Sequence, residues 1–196
     1  MAKPFIIGLT GAMGMGKSTT ARLFAEEGVP VFDADQAVHD IYVNPSALRE
    51  GIESLFPGSV VEGSISRGYI AAQMTPQKLE RLEALVHPWV RAMRQQFVEA
   101  HAAAPILVFD IPLLLETGTP VDAVVVASAP AHVQKERVLS RPGMDEAKFI
   151  ALAARQLSDA QKRSQAHYVV MTDQGLDHAR EQVKMILADI RSKLPA

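Results

Sequence analysis

Five short apolar segments recur along the chain, and stretches with helical spacing of apolar residues lie between them. Each segment is rich in Val, Ile or Phe without a clean alternation of apolar and polar residues, which is typical of strands covered on both faces in a parallel sheet. Because helical stretches separate them, the pattern predicts an α/β fold: a parallel five-stranded sheet flanked by helices and joined by right-handed crossovers. The predicted strands are Phe5–Leu9, Val29–Phe32, Ile106–Phe109, Ala123–Ala127 and Tyr168–Met171.

Two helices can be placed near the ends of the chain. The first is predicted to begin near Lys17 and to end at Gly28, which suits the C′ position that follows a helix. The last is predicted over about 177–194, and its apolar residues recur at helical spacing, so one face should cover the sheet. These apolar residues are Ala179, Val183, Ile186, Leu187, Ile190 and Leu194.

An insertion of roughly residues 36–104 separates the second and third predicted strands and is too long for a simple crossover. Its pattern is largely helical. Thr75 and Pro76 form a good N-cap and first-residue pair, and Pro88 is expected to break or kink the helix that they begin. We interpret this insertion as a substrate-binding lobe.

A second insertion, about residues 131–165, is cationic. It contains seven basic and four acidic residues, a net charge of +3, whereas the whole chain carries −2. Its charge and its position after a strand favour a lid. The chain is therefore predicted to be one domain with a core of about 1–35, 105–130 and 166–196, a lobe of about 36–104, and this lid.

Composition narrows the range of partners. The chain has 196 residues, no cysteine and a net charge of −2, so disulfides are excluded and no global positive field attracts nucleic acid or an anionic membrane. No window reaches the roughly 18 apolar residues that a membrane-spanning helix needs. We expect a cytoplasmic protein that binds anions at a local site, as a monomer or a weak homo-oligomer.

A glycine-rich motif follows the first predicted strand. The run from Gly11 to Ser18 matches G-x-x-x-x-G-K-[ST] without a mismatch, between a predicted strand and a predicted helix, which a chance Lys-Ser pair in a glycine-rich turn would not explain. Glycines let successive N–H groups turn toward phosphate oxygens, and the helix adds the positive end of its dipole. We expect Lys17 to act on the β- and γ-phosphates of ATP in catalysis, Ser18 to bind Mg²⁺, and Thr19 to contact the α-phosphate. The predicted nucleotide-binding residues are Gly11, Met13, Gly14, Met15, Gly16, Lys17, Ser18 and Thr19.

Other classes of P-loop protein find no support in the sequence. A GTPase needs an N-K-x-D element to recognise guanine, but the only asparagine, Asn44, is followed by Pro45, and a D-x-x-G switch is missing too. No ABC-type signature occurs, and the chain is too short for most motor or AAA-type machines. A kinase of a small molecule remains.

Two aspartates, Asp33 and Asp35, follow the second predicted strand. Ligands of open α/β sheets bind beyond the carboxyl ends of strands, so this pair should face the reaction crevice. A kinase that acts on an alcohol needs a carboxylate to accept or orient the hydroxyl proton. Asp35 lies further past the strand and is our first choice for this role, with Asp33 as the reserve and a substrate contact. The alternative for either residue is a cap on the next helix.

Three further residues fit a phosphoryl-transfer site. Asp110 ends the third predicted strand, where a Walker-B-type acid would hold Mg²⁺ and contact the substrate; the alternative is a strand-end turn residue. Arg137 and Arg141 are spaced i, i+4 on a predicted helix, so they should share a face and could clamp the transferring phosphoryl group. The alternative for these arginines is a solvated helix face.

Beyond the glycine-rich loop, several segments resemble those of the dephospho-coenzyme A kinase family, and the resemblance covers nearly the whole chain. The P-loop alone is generic, whereas the Asp-Ala-Asp, His-Pro and Pro-Leu-Leu-Leu-Glu elements, in this order and spacing, are far more specific. The resembling segments are Gly8–Thr19, Phe32–Asp35, Leu85–Val90, Asp110–Glu116 and Gln134–Arg137 with Arg141.

The resemblance implies transfer of the γ-phosphate of ATP to the 3′-hydroxyl of dephospho-coenzyme A, the last step of coenzyme A synthesis. It also implies a P-loop NTPase core with a helical substrate lobe and a mobile lid. Asp35 would be the catalytic carboxylate, Arg67 and His87 would be acceptor contacts in the lobe, and Arg141 would be the lid arginine. The family's usual asparagine after the last strand is Thr172 here.

Two alternatives stay open at this stage. A kinase of a nucleoside monophosphate or a sugar acid would share the P-loop, lid and carboxylate, although a large helical insertion suits a bulkier acceptor with a pantetheine arm. A nucleotide-binding regulatory or assembly protein would also carry a P-loop. Release of ADP that depends on the acceptor distinguishes these classes.

Overall fold

The computed structural model describes most of the chain, and the described residues divide into two compact units. The first unit is Met1–Phe32 with His101–Ala196, and the second is Asp33–Ala100. The division into core, lobe and lid stays a prediction. Asn44 and Pro45, which bear on the guanine-recognition element, lie outside the described part of the chain. The described residues are 3–43, 48–61 and 63–194.

Strands and helices alternate along most of the chain. They are β1 (Phe5–Thr10), α1 (Lys17–Glu26), β2 (Val31–Asp33), α2 (Ala34–Val43), α3 (Arg49–Leu55), β3 (Val60–Val61), β4 (Ser64–Ile65), α4 (Arg67–Ala72), α5 (Pro76–Ala100), β5 (Ile106–Asp110), α6 (Leu114–Thr117), β6 (Ala123–Ser128), α7 (Ala131–Leu139), α8 (Glu146–Ala153), α9 (Asp159–Ser164), β7 (Tyr168–Met171) and α10 (Leu176–Lys193).

The main sheet is five-stranded and parallel, with the order β2-β5-β1-β6-β7, so the predicted fold class is confirmed. The central strand β1 pairs with β5 on one side, where Leu9 lies opposite Asp110, and with β6 on the other, where Thr10 lies opposite Val126. Because parallel strands end at the same edge, the segments that follow β1, β5 and β6 begin side by side.

The second strand begins two residues later than predicted. The predicted helix end at Gly28 is confirmed, because Gly28 has a φ of 78°. The next amide, that of Val29, still donates to the carbonyl oxygen of Phe24 at 3.1 Å and closes the end of α1. Val29 is therefore not free to join the sheet, and β2 starts at Val31.

Four strands each extend one residue further than predicted, and the added residue is polar; the one that ends β2, Asp33, is exposed. Thr10 ends β1, Asp110 ends β5 and Ser128 ends β6, and all three side chains are buried. Apolar pattern alone placed each strand end before the polar residue. The buried polar groups lie at the carboxyl edge of the sheet, where α/β proteins bind their ligands.

The last helix, α10, packs against one face of the sheet. Its buried positions share one cluster with Ile7 and Val125 of the sheet and with Phe24 of α1, so the predicted apolar stripe is confirmed. Leu194 follows the helix and is partly buried against the same cluster. The buried positions on α10 are Ala179, Val183, Ile186, Leu187 and Ile190.

The second unit is built around α5, which begins at Pro76 as predicted. The hydroxyl of Thr75 accepts the amide of Lys78 at 3.2 Å and caps the helix. Of the break or kink expected at Pro88, the break is wrong, because α5 continues through this residue to Ala100. Residues on both sides of Pro88 pack against one apolar cluster, which outweighs the single backbone hydrogen bond that proline removes. Those residues are Leu82, Leu85 and Val86 before Pro88 and Val90 and Met93 after it.

At 25 residues, α5 would be long enough to cross a bilayer, but charged side chains recur along it. No helix in the described ranges combines the length and the apolar character that crossing requires.

Candidate active site

The glycine-rich loop connects β1 to α1 and takes a shape that requires its glycines. Gly14 and Gly16 have φ values of 81° and 84°, in the left-handed region. A Cβ atom on Gly16 would also lie 2.9 Å from the hydroxyl oxygen of Thr172. Gly16 is the N-cap of α1 and offers no side chain to the first amides of that helix, so these amides can bind an external anion.

Lys17 lies at the start of α1 and is paired with Asp110 at the end of β5. The Lys17 Nζ atom donates to Asp110 Oδ1 at 2.6 Å, and the carboxylate is almost fully buried. The parallel register of β1 and β5 makes this contact possible, because it brings the glycine-rich loop beside the end of β5. Ser18 and Thr19 follow Lys17 in the first turn of α1 and are exposed.

Three consecutive carbonyl oxygens of the loop each accept a side-chain donor. The Met13 oxygen accepts Gln134 Nε2 at 2.8 Å, and the Met15 oxygen accepts the Thr172 hydroxyl at 2.9 Å. The Gly14 oxygen accepts Arg137 Nη1 at 3.5 Å. Hydrogen bonds to these three carbonyl oxygens thus hold the backbone of the loop in place.

The guanidinium group of Arg137 also donates hydrogen bonds to the segment after β7. Its Nη1 atom donates to the Thr172 hydroxyl at 2.9 Å, and its Nη2 atom donates to the Thr172 carbonyl at 2.7 Å. The forked guanidinium makes both contacts at once, which a lysine could not do in the same way. Thr172, which stands where the family usually has asparagine, therefore joins Arg137 to the glycine-rich loop.

Gln156 contacts the same loop through the amide of Met13. The Met13 amide donates to Gln156 Oε1 at 3.3 Å, so both polar backbone groups of Met13 are bound by glutamine side chains. Gln156 follows α8, within the segment that the sequence marks as a lid.

Arg141 does not share a helix face with Arg137, so that expectation is wrong. Helix α7 ends at Leu139, and Pro142 follows Arg141 directly. The ring of a proline disfavours helical backbone in the residue before it, which explains the early end of the helix. The side chain of Arg141 is exposed and forms no hydrogen bond or ion pair within the described ranges.

Lys162 is one of the seven basic residues of the predicted lid, but it does not contribute to a cationic surface. Its side chain is fully buried, and Nζ lies 2.8 and 2.9 Å from the two carboxylate oxygens of Glu116. Burial raises the pKa of the Glu116 carboxyl, but hydrogen bonds from Lys162 and from the amide of Leu157 outweigh this and hold that pKa below its usual value. Glu116 is thus ionised and paired.

The Asp-Ala-Asp element spans the end of β2 and the start of α2. Asp33 Oδ1 accepts the amide of Gln36 at 3.0 Å, so Asp33 caps α2, which was the alternative considered for either residue. Asp35 lies in the first turn of the same helix and is exposed. The capping task thus falls on Asp33 and leaves Asp35 available for chemistry.

Arg67 and His87 lie in the second unit. The Arg67 guanidinium lies 5.5 Å from the centroid of the Tyr42 ring, and its Nη1 atom is 3.3 Å from His39 Nδ1. Burial raises the pKa of the Tyr42 hydroxyl, and the charge of Arg67 opposes that shift. His87 and Trp89 are both exposed on α5.

Comparison with known proteins identifies the family. A family model described as dephospho-CoA kinase matches residues 5–178. The chain belongs to the dephospho-CoA kinase family. A dephospho-CoA kinase from Rhodopseudomonas palustris (strain BisB18) is 50% identical over 196 residues, which cover 97% of both chains. One from Bradyrhizobium diazoefficiens is 51% identical over 191 residues, which cover 94% of this chain and 95% of the relative.

Solved structures with a similar fold include a dephospho-CoA kinase. The protein TT1252 from Thermus thermophilus is 32% identical, with a TM-score of 0.84 over 96% of this chain and 99% of that one. A dephospho-CoA kinase from Campylobacter jejuni is 21% identical, with a TM-score of 0.65 over 96% and 98%. Shikimate kinase from Acinetobacter baumannii, at 21% identity and a TM-score of 0.52 over 98% and 96%, shares the fold alone.

In this member of the dephospho-CoA kinase family, the predicted site residues fall into two sets. The first unit brings the glycine-rich loop, Lys17, Asp110 and Arg137 together through the contacts above and places Arg141 on the surface. The second unit contains the other predicted residues, which are Asp33, Asp35, Arg67 and His87.

Three residues around the loop were not predicted to contact it, although Gln134 belongs to a segment that resembles the family. Gln134 and Gln156 are neither titratable nor part of the P-loop motif, and their contacts with Met13 span more than 100 residues of sequence. Thr172 attracted attention only as a departure from the family pattern. Its β-branched side chain and hydroxyl at the end of a strand carry no signal for a contact with Met15, 157 residues away.

Proposed function

We propose that this protein transfers the γ-phosphoryl group of ATP to the 3′-hydroxyl of dephospho-coenzyme A, giving coenzyme A and ADP in the last step of coenzyme A synthesis. The observation that carries the chemistry is Lys17, which is held by the buried Asp110 and lies at the start of α1, whose first amides have no side-chain cap. The choice of acceptor rests on relatives that share about half of their residues with this chain over nearly its full length.

The loop residues bind the nucleotide in this proposal. Backbone N–H groups of the loop surround the β-phosphate, apart from those of Met13 and Met15, which donate to Gln156 and to the Ala12 carbonyl. The start of α1 adds the positive end of its dipole. Lys17 contacts the β- and γ-phosphates, where negative charge shifts during transfer, and Thr19 contacts the α-phosphate. Exposure of Ser18 and Thr19 keeps this turn accessible to the ligand.

Mg²⁺ fits the residues at this site. The Ser18 hydroxyl and the Asp110 carboxylate are hard oxygen donors, which Mg²⁺ prefers, and phosphates and water would complete its coordination. No group of three or more His, Asp or Glu side chains suited to a metal occurs within the described ranges, in keeping with a cation that arrives with its nucleotide. When bound, Mg²⁺ would neutralise charge that develops on the β- and γ-phosphate oxygens.

The acceptor hydroxyl is activated by Asp35. The 3′-oxygen attacks the γ-phosphorus, the bond from that phosphorus to the bridging oxygen of ADP breaks, and the hydroxyl proton passes to the carboxylate. Asp33 holds the start of α2, and Arg67 and His87 are acceptor contacts in the lobe. Arg141 approaches the transferring group when the lid closes and excludes water.

We expect the kinase to act in the cytoplasm as a monomer or a weak homo-oligomer, without nucleic acid or membrane as partners. The net charge of −2 supports this expectation, since it provides no general attraction to polyanions.

Release of ADP tests the proposed function directly. Purified protein with Mg²⁺-ATP should release ADP slowly alone and rapidly after dephospho-coenzyme A is added, with coenzyme A as the product identified by mass. A coupled spectrophotometric assay measures the rate, and the Lys17→Ala variant provides the background. Absence of stimulation would contradict the assigned acceptor. A panel of nucleoside monophosphates and sugar acids would then find the acceptor, and silence across it would favour a protein that is not a kinase.

Two arginine variants separate the roles given to the lid segment. Arg137→Met removes the links to Thr172 and the Gly14 carbonyl, so we expect the KM for ATP to rise by about tenfold, with a smaller change in kcat. Arg141→Met should instead lower kcat by about 10³-fold or more, as the loss of an arginine that contacts the phosphoryl group does. Steady-state kinetics with each substrate varied makes the measurement. The reverse pattern would assign the phosphoryl contact to Arg137.

A further inference from the structure

The ammonium group of Lys162 lies where three segments of the first unit meet. Besides the two oxygens of Glu116 at 2.8 and 2.9 Å, Nζ is 3.2 Å from the Pro112 carbonyl oxygen and 3.5 Å from the Thr10 hydroxyl oxygen. The Thr10 hydroxyl itself donates to the same Pro112 carbonyl at 2.8 Å. Lys162 and Thr10 are both fully buried, so water does not compete for these contacts.

Two of these segments lead directly into the proposed site. Thr10 is the last residue of β1 and immediately precedes Gly11, the first residue of the P-loop. Pro112 comes two residues after Asp110, whose carboxylate binds Lys17. A displacement of either segment would therefore move one partner of the pair between Lys17 and Asp110.

The third segment is α9, which carries Lys162 and is itself anchored to its neighbours. Helix α9 begins with a capping box between Ser158 and Gln161. Asp159 accepts the hydroxyl of Ser128, at the end of β6, at 2.8 Å. The amide of Leu157, just before this helix, donates to Glu116 at 2.9 Å. The helix is thus attached to the sheet and to α6 independently of the lysine.

Stability alone gives a weak reason for a buried lysine at this position. Removing an ion pair from water is costly, and a well-packed apolar pair of similar volume is often as stable or more so. What an apolar pair could not provide is a directed donor for the Pro112 carbonyl and the Thr10 hydroxyl. We propose that Lys162 is a positioning residue that holds the start of the P-loop and the segment after Asp110 in the relative placement that nucleotide binding requires. The inference builds on the proposed function.

The test separates stability from positioning with an apolar replacement of the pair. Lys162→Met alone leaves the Glu116 carboxylate, on a side chain that is 19% exposed, without its cation and should lower the melting temperature. The double variant Lys162→Met/Glu116→Leu should recover the melting temperature of the wild type. We expect its Kd for a non-hydrolysable ATP analogue, measured by calorimetry, to stay raised by about tenfold or more. Its KM for dephospho-coenzyme A should not change.

Thr10→Val serves as a second variant that keeps the shape of the side chain and leaves the pair between Lys162 and Glu116 intact. We expect a near-normal melting temperature and an analogue Kd raised by about threefold to tenfold, which corresponds to one hydrogen bond. Wild-type Kd values in this variant would overturn the proposal, even if the double variant failed to fold. Recovery of both stability and analogue affinity in the double variant would overturn it too, since the pair would then be structural only.

Failure of the proposed function would look different. The calorimetric titration uses the ATP analogue alone and needs no acceptor, so it reports on Lys162 whatever the acceptor is. Absence of coenzyme A formation by the wild type, with analogue binding intact, would contradict the acceptor assignment and leave the positioning role standing.

Discussion

The Lys17→Ala variant should lose phosphoryl transfer to dephospho-coenzyme A, with kcat/KM reduced by about 10³-fold or more. Lys17 is the only predicted site residue whose ammonium group lies at the P-loop and is held there by a buried carboxylate, at 2.6 Å. Its removal deletes the charge that contacts the β- and γ-phosphates as negative charge shifts between them. The acceptor-dependent ADP assay measures the loss.

A control is needed because the same substitution leaves Asp110 buried without its cation. Loss of one partner of a buried pair typically costs about 3–5 kcal/mol, so thermal unfolding must show that the variant is folded at the assay temperature. The matched control is Lys184→Ala, which breaks an exposed pair with Glu181 on α10 and should leave both stability and turnover near the wild type. Near-normal turnover by folded Lys17→Ala would contradict the role given to the P-loop.

The Asp35→Asn variant should bind ATP normally and lose turnover by about 10²–10⁴-fold. Asparagine has nearly the shape of aspartate, so α2 should be preserved, but its amide cannot accept the proton of the 3′-hydroxyl. Single-turnover kinetics at saturating ATP, with analogue affinity measured separately, distinguishes a chemical defect from a binding defect.

Asp33→Asn is the matched control for that experiment. Asp33 caps α2 through its contact with the Gln36 amide, and asparagine caps helices about as well as aspartate. This variant should therefore retain most of its turnover. Loss of activity in Asp33→Asn with retention in Asp35→Asn would reverse the assignment of the two carboxylates.

The sheet and its order of elements followed from local pattern, because strands buried on both faces leave a continuous apolar signal. The P-loop followed from a motif whose residues are adjacent in sequence. The preference of proline for helix ends failed where it competes with packing: α5 does not break at Pro88, because apolar residues on both sides of it share one cluster. The i, i+4 spacing of Arg137 and Arg141 failed to predict a shared helix face, because Pro142 disfavours helical backbone at Arg141.

Long-range pairing was beyond a local analysis for a different reason. The charges of Lys162 and Glu116 are separated by 46 residues, and nothing in either segment marks them as partners. Composition therefore assigned the charge of Lys162 to a cationic lid, whereas the structure buries it against Glu116. The roles of Asp35, Arg141, Arg67 and His87 depend on the bound substrates and remain predictions.

The hydrogen bonds to three carbonyl groups of the P-loop affect the entropy of ATP binding. Donors from Gln134, Arg137 and Thr172 hold the oxygens of residues 13 to 15, so contacts within the chain restrain the backbone dihedrals of the loop. Fixing the backbone of one residue costs about 1–2 kcal/mol in entropy, and here that cost belongs to folding. ATP should therefore bind with little loss of chain entropy. Removing these hydrogen bonds should make ATP binding carry the entropy cost of ordering the loop.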